Sequence, residues 1–340
     1  MIVDLPATTT AAVNKKMVKL RNDVGAMTLG RVLTLVIVVD EAETEAAIEA
    51  ANDASRQHPC RIIALVSGSM RGANRLDAQI RVGGDAGASE VIVLRLSGAL
   101  AGQGTNVVVP LLLPDSPVVA WWPSQAPPDV SESAIGAMAQ RRITDAARAA
   151  NPATELNRRA ESYQPGDTDL AWTRVTLWRG LLAAALEQPP YEPVVSAAVT
   201  GASDSPSADL LAAWLAQTLK CPVTLARSRA GTGVVSVRLV RRSANIDLAR
   251  PDGAVAALAQ GDQPVRRISL ARRDLAECLS EELRRLDPDE TYAETLTKGL
   301  AKVDNGGSVV ASADPKAPAG KASGAKKAAP AAARKGKSTS

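Results

Sequence analysis

Phenylalanine is absent from this 340-residue chain, aromatic residues make up 2% of it, and His58 is its single histidine. Cores built from such a composition have to be aliphatic and alanine-rich. One histidine excludes a multi-histidine metal site. A Ser-His-Asp triad would have to be built on His58, which precedes Pro59 at a helix-to-strand turn where capping fits better. The three cysteines, Cys60, Cys221 and Cys278, are sparse, odd in number and without a CxxC spacing. They argue against zinc and dithiol redox motifs and for a reducing compartment. The longest apolar run, Val32 to Val39, is strand-length and far short of a membrane span. The lysines at 15, 16 and 19 lead into no signal-peptide core. The expected setting is the cytoplasm. No Gly-Lys-Ser/Thr follows a strand, and Gly102-Gln-Gly104 lacks the third glycine of a dinucleotide fingerprint. Neither a cofactor nor a metal is expected, and catalysis has no evident home.

The formal charge of +4 divides unevenly. From Asp304 onward there are seven basic residues against two acidic ones, so the preceding body is close to neutral. A neutral body does not look like a dedicated nucleic-acid-binding domain. The tail, 304–340, is Ala, Lys, Pro, Gly and Ser. It cannot bury enough surface to offset its ordering entropy and is expected to be disordered, with at most weak, non-specific polyanion binding.

The body alternates strands and helices. A helix is expected over Ala11 to Val24, then a doubly buried strand over Val32 to Val39, an acidic helix from Glu41 to about Arg56, and a strand over Arg61 to Val66. Strands over Leu76 to Val82 and Glu90 to Arg95 are joined by the turn Gly83 to Gly87. Helical residues near Val107 to Leu113 precede Pro117-Val-Val-Ala-Trp121-Trp122-Pro123, which reads as the last strand of this half. Ser131 to Ala160 reads as helical. Superposing Cys221 on Cys60 brings Pro193–Thr200 onto Val32–Val39 and the helix Ser207–Leu219 onto the Glu41 helix. A hairpin through Ala230 to Gly233, strands at Val234 to Val240, Asn245 to Ala249 and Val265 to Leu270, and helices at Arg272 to Leu286 and Asp289 to Lys302 complete the chain. The predicted fold is α/β with two related lobes, 1–165 and 166–303, each a mixed sheet with flanking helices.

The stretch between the halves, Asp169 to Leu186, is expected to be one helix capped by Thr168 or Asp169 and ended by Pro189-Pro190. Trp178, Leu181, Leu182 and Ala185 recur at helical spacing, and Arg174 lies one turn before Trp178, within stacking reach. A mixture of Trp172, Arg174, Trp178 and Arg179 is the composition of an interface hot spot, with packing between the lobes as the competing reading. Trp121 and Trp122, successive on a strand, must point to opposite sides of the sheet, as core or as further partner contacts. A possible anion loop is Gly201, Ser203, Ser205 and Ser207: it follows a strand, Ser205 can cap, and Pro206 suits the first helical position. No nearby lysine or arginine supports it, and Asp204 opposes a phosphate.

Five segments carry a resemblance: Arg31-Val-Leu-Thr-Leu-Val, His58-Pro-Cys-Arg-Ile-Ile, Pro117-Val-Val-Ala-Trp-Trp-Pro, Asp169-Leu-Ala-Trp-Thr-Arg with Trp178-Arg179, and Leu210-Leu-Ala-Ala-Trp-Leu. Together they resemble the OpcA family, the glucose-6-phosphate dehydrogenase assembly proteins, over about residues 1–300. The resemblance implies a non-catalytic protein that binds glucose-6-phosphate dehydrogenase, promotes its active oligomer and raises its activity. The alternative from the residues alone is an enzyme or sensor binding a sugar phosphate or nucleotide at the Gly201–Ser207 loop.

Overall fold

The computed structural model of the chain describes residues 1–23, 31–82 and 90–306. Leu33–Val39 (β2) and Cys60–Ser67 (β3) are aliphatic runs buried along almost their whole length, and they pair in parallel with Leu33 opposite Cys60. Strands apolar on both faces need a sheet covered on both sides. Theirs has eight strands, in the order β1 (Ile2–Leu5), β4 (Arg75–Arg81), β5 (Glu90–Ser97), β3, β2, β6 (Val118–Trp121), β7 (Arg141–Thr144) and β8 (Asp167–Asp169). From β5 to β8 every neighbouring pair is parallel, while β4 and β1 form an antiparallel edge. The parallel order departs from β2 in both directions, so the sheet is doubly wound with its switch point between β2 and β6.

One face is covered by α2 (Thr44–Ser55), which crosses from β2 to β3, and by α8 (Leu275–Arg284) from the far end of the chain. The other face is covered by α1 (Thr10–Asp23), α3 (Gly104–Val108) and the loops near Val130 and Ile135. Trp121 packs in the first of these cores and Trp122 in the second, as strand alternation requires.

A second, seven-stranded sheet runs β14 (Arg266–Ser269), β13 (Val255–Gln260), β12 (Ile246–Ala249), β11 (Val234–Val240), β9 (Ser196–Ala202), β10 (Val223–Ser228) and β15 (Val303–Asp304). Here burial alternates along β10, β12 and β13, the pattern of a sheet with one face packed. The packed face meets α5 (Leu170–Thr173), α6 (Thr176–Leu186), α7 (Pro206–Leu219) and Tyr292 of α9 (Glu290–Glu294). The expected repeat is present: β9, α7 and β10 reproduce β2, α2 and β3. Ala197 stands opposite Val223, one residue closer in sequence than Leu33 and Cys60.

Several expectations are corrected. Ser131 to Ala160 is not one helix: it holds β7 and α4 (Pro152–Glu161), so the strand at Trp121 is not the last of its sheet. No hairpin runs through Ala230 to Gly233, because β10 and β11 flank β9 on opposite sides. The helix from Asp169 is interrupted at Arg174 and Val175. β1, β8, β13 and β15 were not anticipated, and β15 takes Asp304, the first residue of the expected tail, into the second sheet. Val24, the Gly83–Gly87 turn and the tail from 307 lie outside the described residues.

Candidate functional site

The junction of β8, α5 and α6 is held by charged groups buried among the cores. Asp169 caps α5, accepting from the Ala171 N–H at 2.8 Å, the Ala146 N–H at 2.9 Å and Thr144 Oγ1 at 2.6 Å. Burial, and then the neighbouring Asp145 charge, push the Asp169 carboxyl up to about 6 despite these three donors. Arg174 donates to both oxygens of Asp145, at 2.7 and 2.6 Å, and the Asp145 side chain is wholly buried. Burial opposes the Arg174 charge, but the Asp145 hydrogen bonds more than reverse this and hold the guanidinium above its ordinary range. Arg174 therefore clamps the helix junction to the segment after β7 and does not stack on Trp178.

Arg179 is the stacked arginine. Its guanidinium carbon lies 3.6 Å from the Trp172 ring centroid, and Nη2 donates to Thr176 Oγ1 at 3.2 Å. Its Nε is buried without a partner, and among the described residues no carboxylate pairs with it. Burial lowers its affinity for its proton, and the charges of Asp289, Glu281 and Glu282 pull the other way. Trp172 itself donates through Nε1 to Asp289 Oδ2 at 2.9 Å and meets Tyr292. Trp121, Trp122, Trp172 and Trp178 are 0–3% exposed. A partner docking on the folded chain cannot touch these four, so the indoles among the candidate contacts are core, while both arginines are half-buried. Beside Arg179 opens a cleft of about 560 Å³ lined by Arg141, Thr176, Glu282, Arg285 and Asp289. In it Glu282 accepts from Arg141 and from Thr173 Oγ1, tying α8 to β7 and α5.

The Gly201–Ser207 loop is used differently from expectation. A Cβ on Gly201 would lie 2.3 Å from the Ala208 Cβ, so glycine is what lets β9 run against α7. Pro206 opens α7 as anticipated, but the Ser205 side chain makes no cap bond. Ser207 Oγ donates to the Ala171 carbonyl at 2.9 Å, Ser203 is exposed, and Asp204 accepts from the Gly231 N–H. The hydroxyls do not converge. Arginines do: Arg174, Arg250, Arg272 and Arg273 line a cavity of about 290 Å³ with Ser205 and Ser207. Sequence reading found no basic residue for this loop because Arg250 and Arg272 come from strand ends far downstream.

The switch point of the first sheet is occupied by the chain's own acids. Glu43, at the entry to α2, accepts from Arg148 at 2.8 Å, and hydrogen bonds from Ser124 and Arg148 lower its carboxyl. Glu41 and Glu45 on either side of it take Arg95 and Arg81.

Residues 51–161 match the family described as glucose-6-phosphate dehydrogenase subunit N-terminal domain, and residues 165–296 match its C-terminal counterpart. The chain belongs to the OpcA family. No curated protein matches this OpcA-family chain. Among solved structures it is similar to glucose-6-phosphate 1-dehydrogenase from Mycobacterium avium, at 11% identity and a TM-score of 0.41, over 80% of this chain and 93% of that one. It is also similar to UDP-N-acetylglucosamine 3-dehydrogenase GnnA from Acidithiobacillus ferrooxidans, at 8% identity and a TM-score of 0.34, over 79% and 96%. Neither likeness bears on function at that level.

In this OpcA-family protein the thiols are placed for packing. Cys60 and Cys278 are buried and Cys221 half-buried, and burial pushes the Cys278 thiol up to about 11 although Arg174 is near. His58 is half-buried, its proton affinity lowered by burial and then by Arg284. Among the described residues no helix is long and apolar enough to cross a membrane, and no group of three His, Cys, Asp or Glu side chains is placed to hold a metal.

Proposed function

We propose that this OpcA-family chain is a non-catalytic assembly factor that binds glucose-6-phosphate dehydrogenase, favours its active oligomer and thereby activates it. Its place would be the cytoplasm, and its output the oxidative pentose phosphate pathway. The observation that carries the reading is the pair of family matches over 51–161 and 165–296, which between them take in strands of both sheets. The switch point supports the non-catalytic part. A dinucleotide would set its pyrophosphate against the start of the first crossover helix, where glycines normally allow approach. Here Glu41, Glu43 and Glu45 stand at that position, each bound to an arginine.

The docking face on this reading is the outer side of α6 and the cleft beside it. Leu177 is 48% exposed, Gly180 is exposed next to it, and Arg179 lies at the edge with its guanidinium unpaired by any carboxylate among the described residues. Arg174 contributes by fixing the helix junction. Trp172 and Trp178 support the face from below. The partition near residue 165 belongs to the same proposal, with β8 and α8 from beyond that point completing the first sheet's layers, and with residues 307–340, which follow β15, as a dispensable appendage. The test is native mass spectrometry and activity of the dehydrogenase from the same organism, with and without the full-length chain. A defined complex with raised activity is expected. Absence of any complex at micromolar concentrations of both proteins would sink the reading.

A further inference from the structure

The cavity at the start of α7 is lined by two arginines, Arg250 and Arg272, that form no ion pair among the described residues. Arg250 is 6% exposed. Its Nη1 and Nη2 donate to the carbonyls of Leu270 at 2.8 Å and Val234 at 3.2 Å, its Nε is buried with no partner, and its guanidinium carbon lies 5.1 Å from the Trp178 ring centroid. Arg272 is fixed at the rim by donating to the carbonyls of Gly231 at 2.7 Å and Thr232 at 2.5 Å. Among the described residues neither forms an ion pair with a carboxylate, whereas the other two arginines of the lining do, Arg174 with Asp145 and Arg273 with Glu281. A buried cation lacking an opposite charge costs several kcal/mol, and a bound anion removes that cost. Burial, and then the Arg272 charge, hold the proton affinity of Arg250 below its ordinary value, while the charge of Asp252 pulls the other way. The fourteen-residue helix α7 opens at the same cavity, Ser205 and Ser207 lining it, and adds the positive end of its dipole.

We propose that this cavity binds the phosphate monoester of a small polyhydroxylated metabolite. Arg250, Arg272 and the start of α7 take the phosphate, as paired guanidiniums and helix N-termini do for dianions. The cavity volume of about 290 Å³ holds one phosphate and a short carbon body. Val175, Trp178 and Val234 supply an apolar wall for that body. Asp204, the carboxylate on the lining, is turned toward the Gly231 N–H, where it repels a second phosphate and can accept a hydroxyl. That combination selects a polyol monophosphate over a nucleoside polyphosphate. The inference stands on the cavity alone and is independent of the dehydrogenase-binding reading.

The test titrates the full-length chain with glycerol 3-phosphate, following thermal stability and tryptophan fluorescence, against potassium chloride at equal ionic strength. A saturable stabilisation with a change in the Trp178 environment is expected. Losing one charge-assisted contact should raise the half-saturation concentration about tenfold or more in Arg272→Gln. Arg250→Gln should abolish the response. If Arg250→Gln does not fold, Arg272→Gln decides alone, because its side chain is exposed. An equal response to potassium chloride overturns the proposal. So does Arg272→Gln titrating like the parent chain, or a response that disappears when residues 307–340 are removed.

Discussion

The two parallel strand–helix–strand units share a topology and a register within one residue, yet the starts of their helices are treated in opposite ways. In the first unit, residues 41–45 carry three glutamates, and Arg95, Arg148 and Arg81 are drawn onto them. In the second, α7 begins with Ser205-Pro206-Ser207, its first acidic residue Asp209 is turned to Arg227, and Arg250 and Arg272 line the space in front. A helix start attracts negative charge in either case. The first unit supplies that charge from its own side chains, and the second leaves room for one from outside. The same fold element can thus be closed or kept open by three residues at its entrance, so topology alone says nothing about which unit carries a site.

The largest expected effect comes where the two sheets are tied together. Arg174 pairs with Asp145, and Glu282 on α8 pairs with Arg141 on β7. Removing one member of a buried pair strands the other, at about 3–5 kcal/mol. Arg174→Ala and Glu282→Ala should each lose that much in urea unfolding, far more than any charge at the start of α2. A loss under about 1 kcal/mol for both would mean the sheets are joined by apolar packing alone.

Next is the buried Asp169. Its folded carboxyl sits at about 6 against an ordinary 3.8. The folded state therefore holds this proton more tightly than the unfolded chain does. The stability it contributes is fully present below about pH 4 and is lost as pH rises through about 6, amounting to about 3 kcal/mol across the window. In Asp169→Asn the fall between pH 4 and 6 should flatten by that amount, measured as unfolding free energy at several pH values. An unchanged slope would show that Asp169 stays ionised on its three donors.

These buried charges also mark where sequence reading stopped. The strands β2, β3, β5 and β9, and the repeat that relates β9-α7-β10 to β2-α2-β3, were legible because aliphatic runs and helix signals recur at the same spacing. β7 and β8, with sequences Arg-Arg-Ile-Thr and Asp-Thr-Asp, were not. Their charges are buried because Arg141 meets Glu282, and Arg142 meets Asp167, contacts that no local window contains. The site followed the same rule. The Gly201–Ser207 loop was visible from its helix-start pattern, while its arginines arrive through long-range topology. Tryptophans read as possible contacts turned out to be core, since composition cannot separate a hot spot from a packed helix junction.

A middle-sized effect concerns the partner. Arg179→Ala removes the cation–π contact with Trp172 but strands no carboxylate paired with it, so stability should fall by about 0.5–2 kcal/mol, leaving the chain folded. Affinity for glucose-6-phosphate dehydrogenase should fall by about 2 kcal/mol, a roughly thirtyfold rise in Kd. Arg174 cannot serve as the same probe, because its removal exposes the buried Asp145. Unchanged affinity in well-folded Arg179→Ala would end the case for this edge of α6 as a contact.

The smallest effect is at the start of α2, and it tests the contrast between the two units most directly. Glu41 and Glu45 are 61% and 67% exposed in their pairs with Arg95 and Arg81. Exposed pairs contribute about 0.2–1 kcal/mol or nothing measurable, because water and salt screen them. Glu41→Gln/Glu45→Gln should therefore cost no more than about 1 kcal/mol in total, less still at high salt. The same change leaves Arg81 and Arg95 without those carboxylates beside a helix start, the condition already met at α7. If local charge at the entrance is what separates the units, the variant should gain a second, weaker phosphate-dependent stabilisation that the parent lacks, and Arg272→Gln should not remove it. A loss beyond about 2 kcal/mol would instead make these glutamates structural and the contrast between the units incidental.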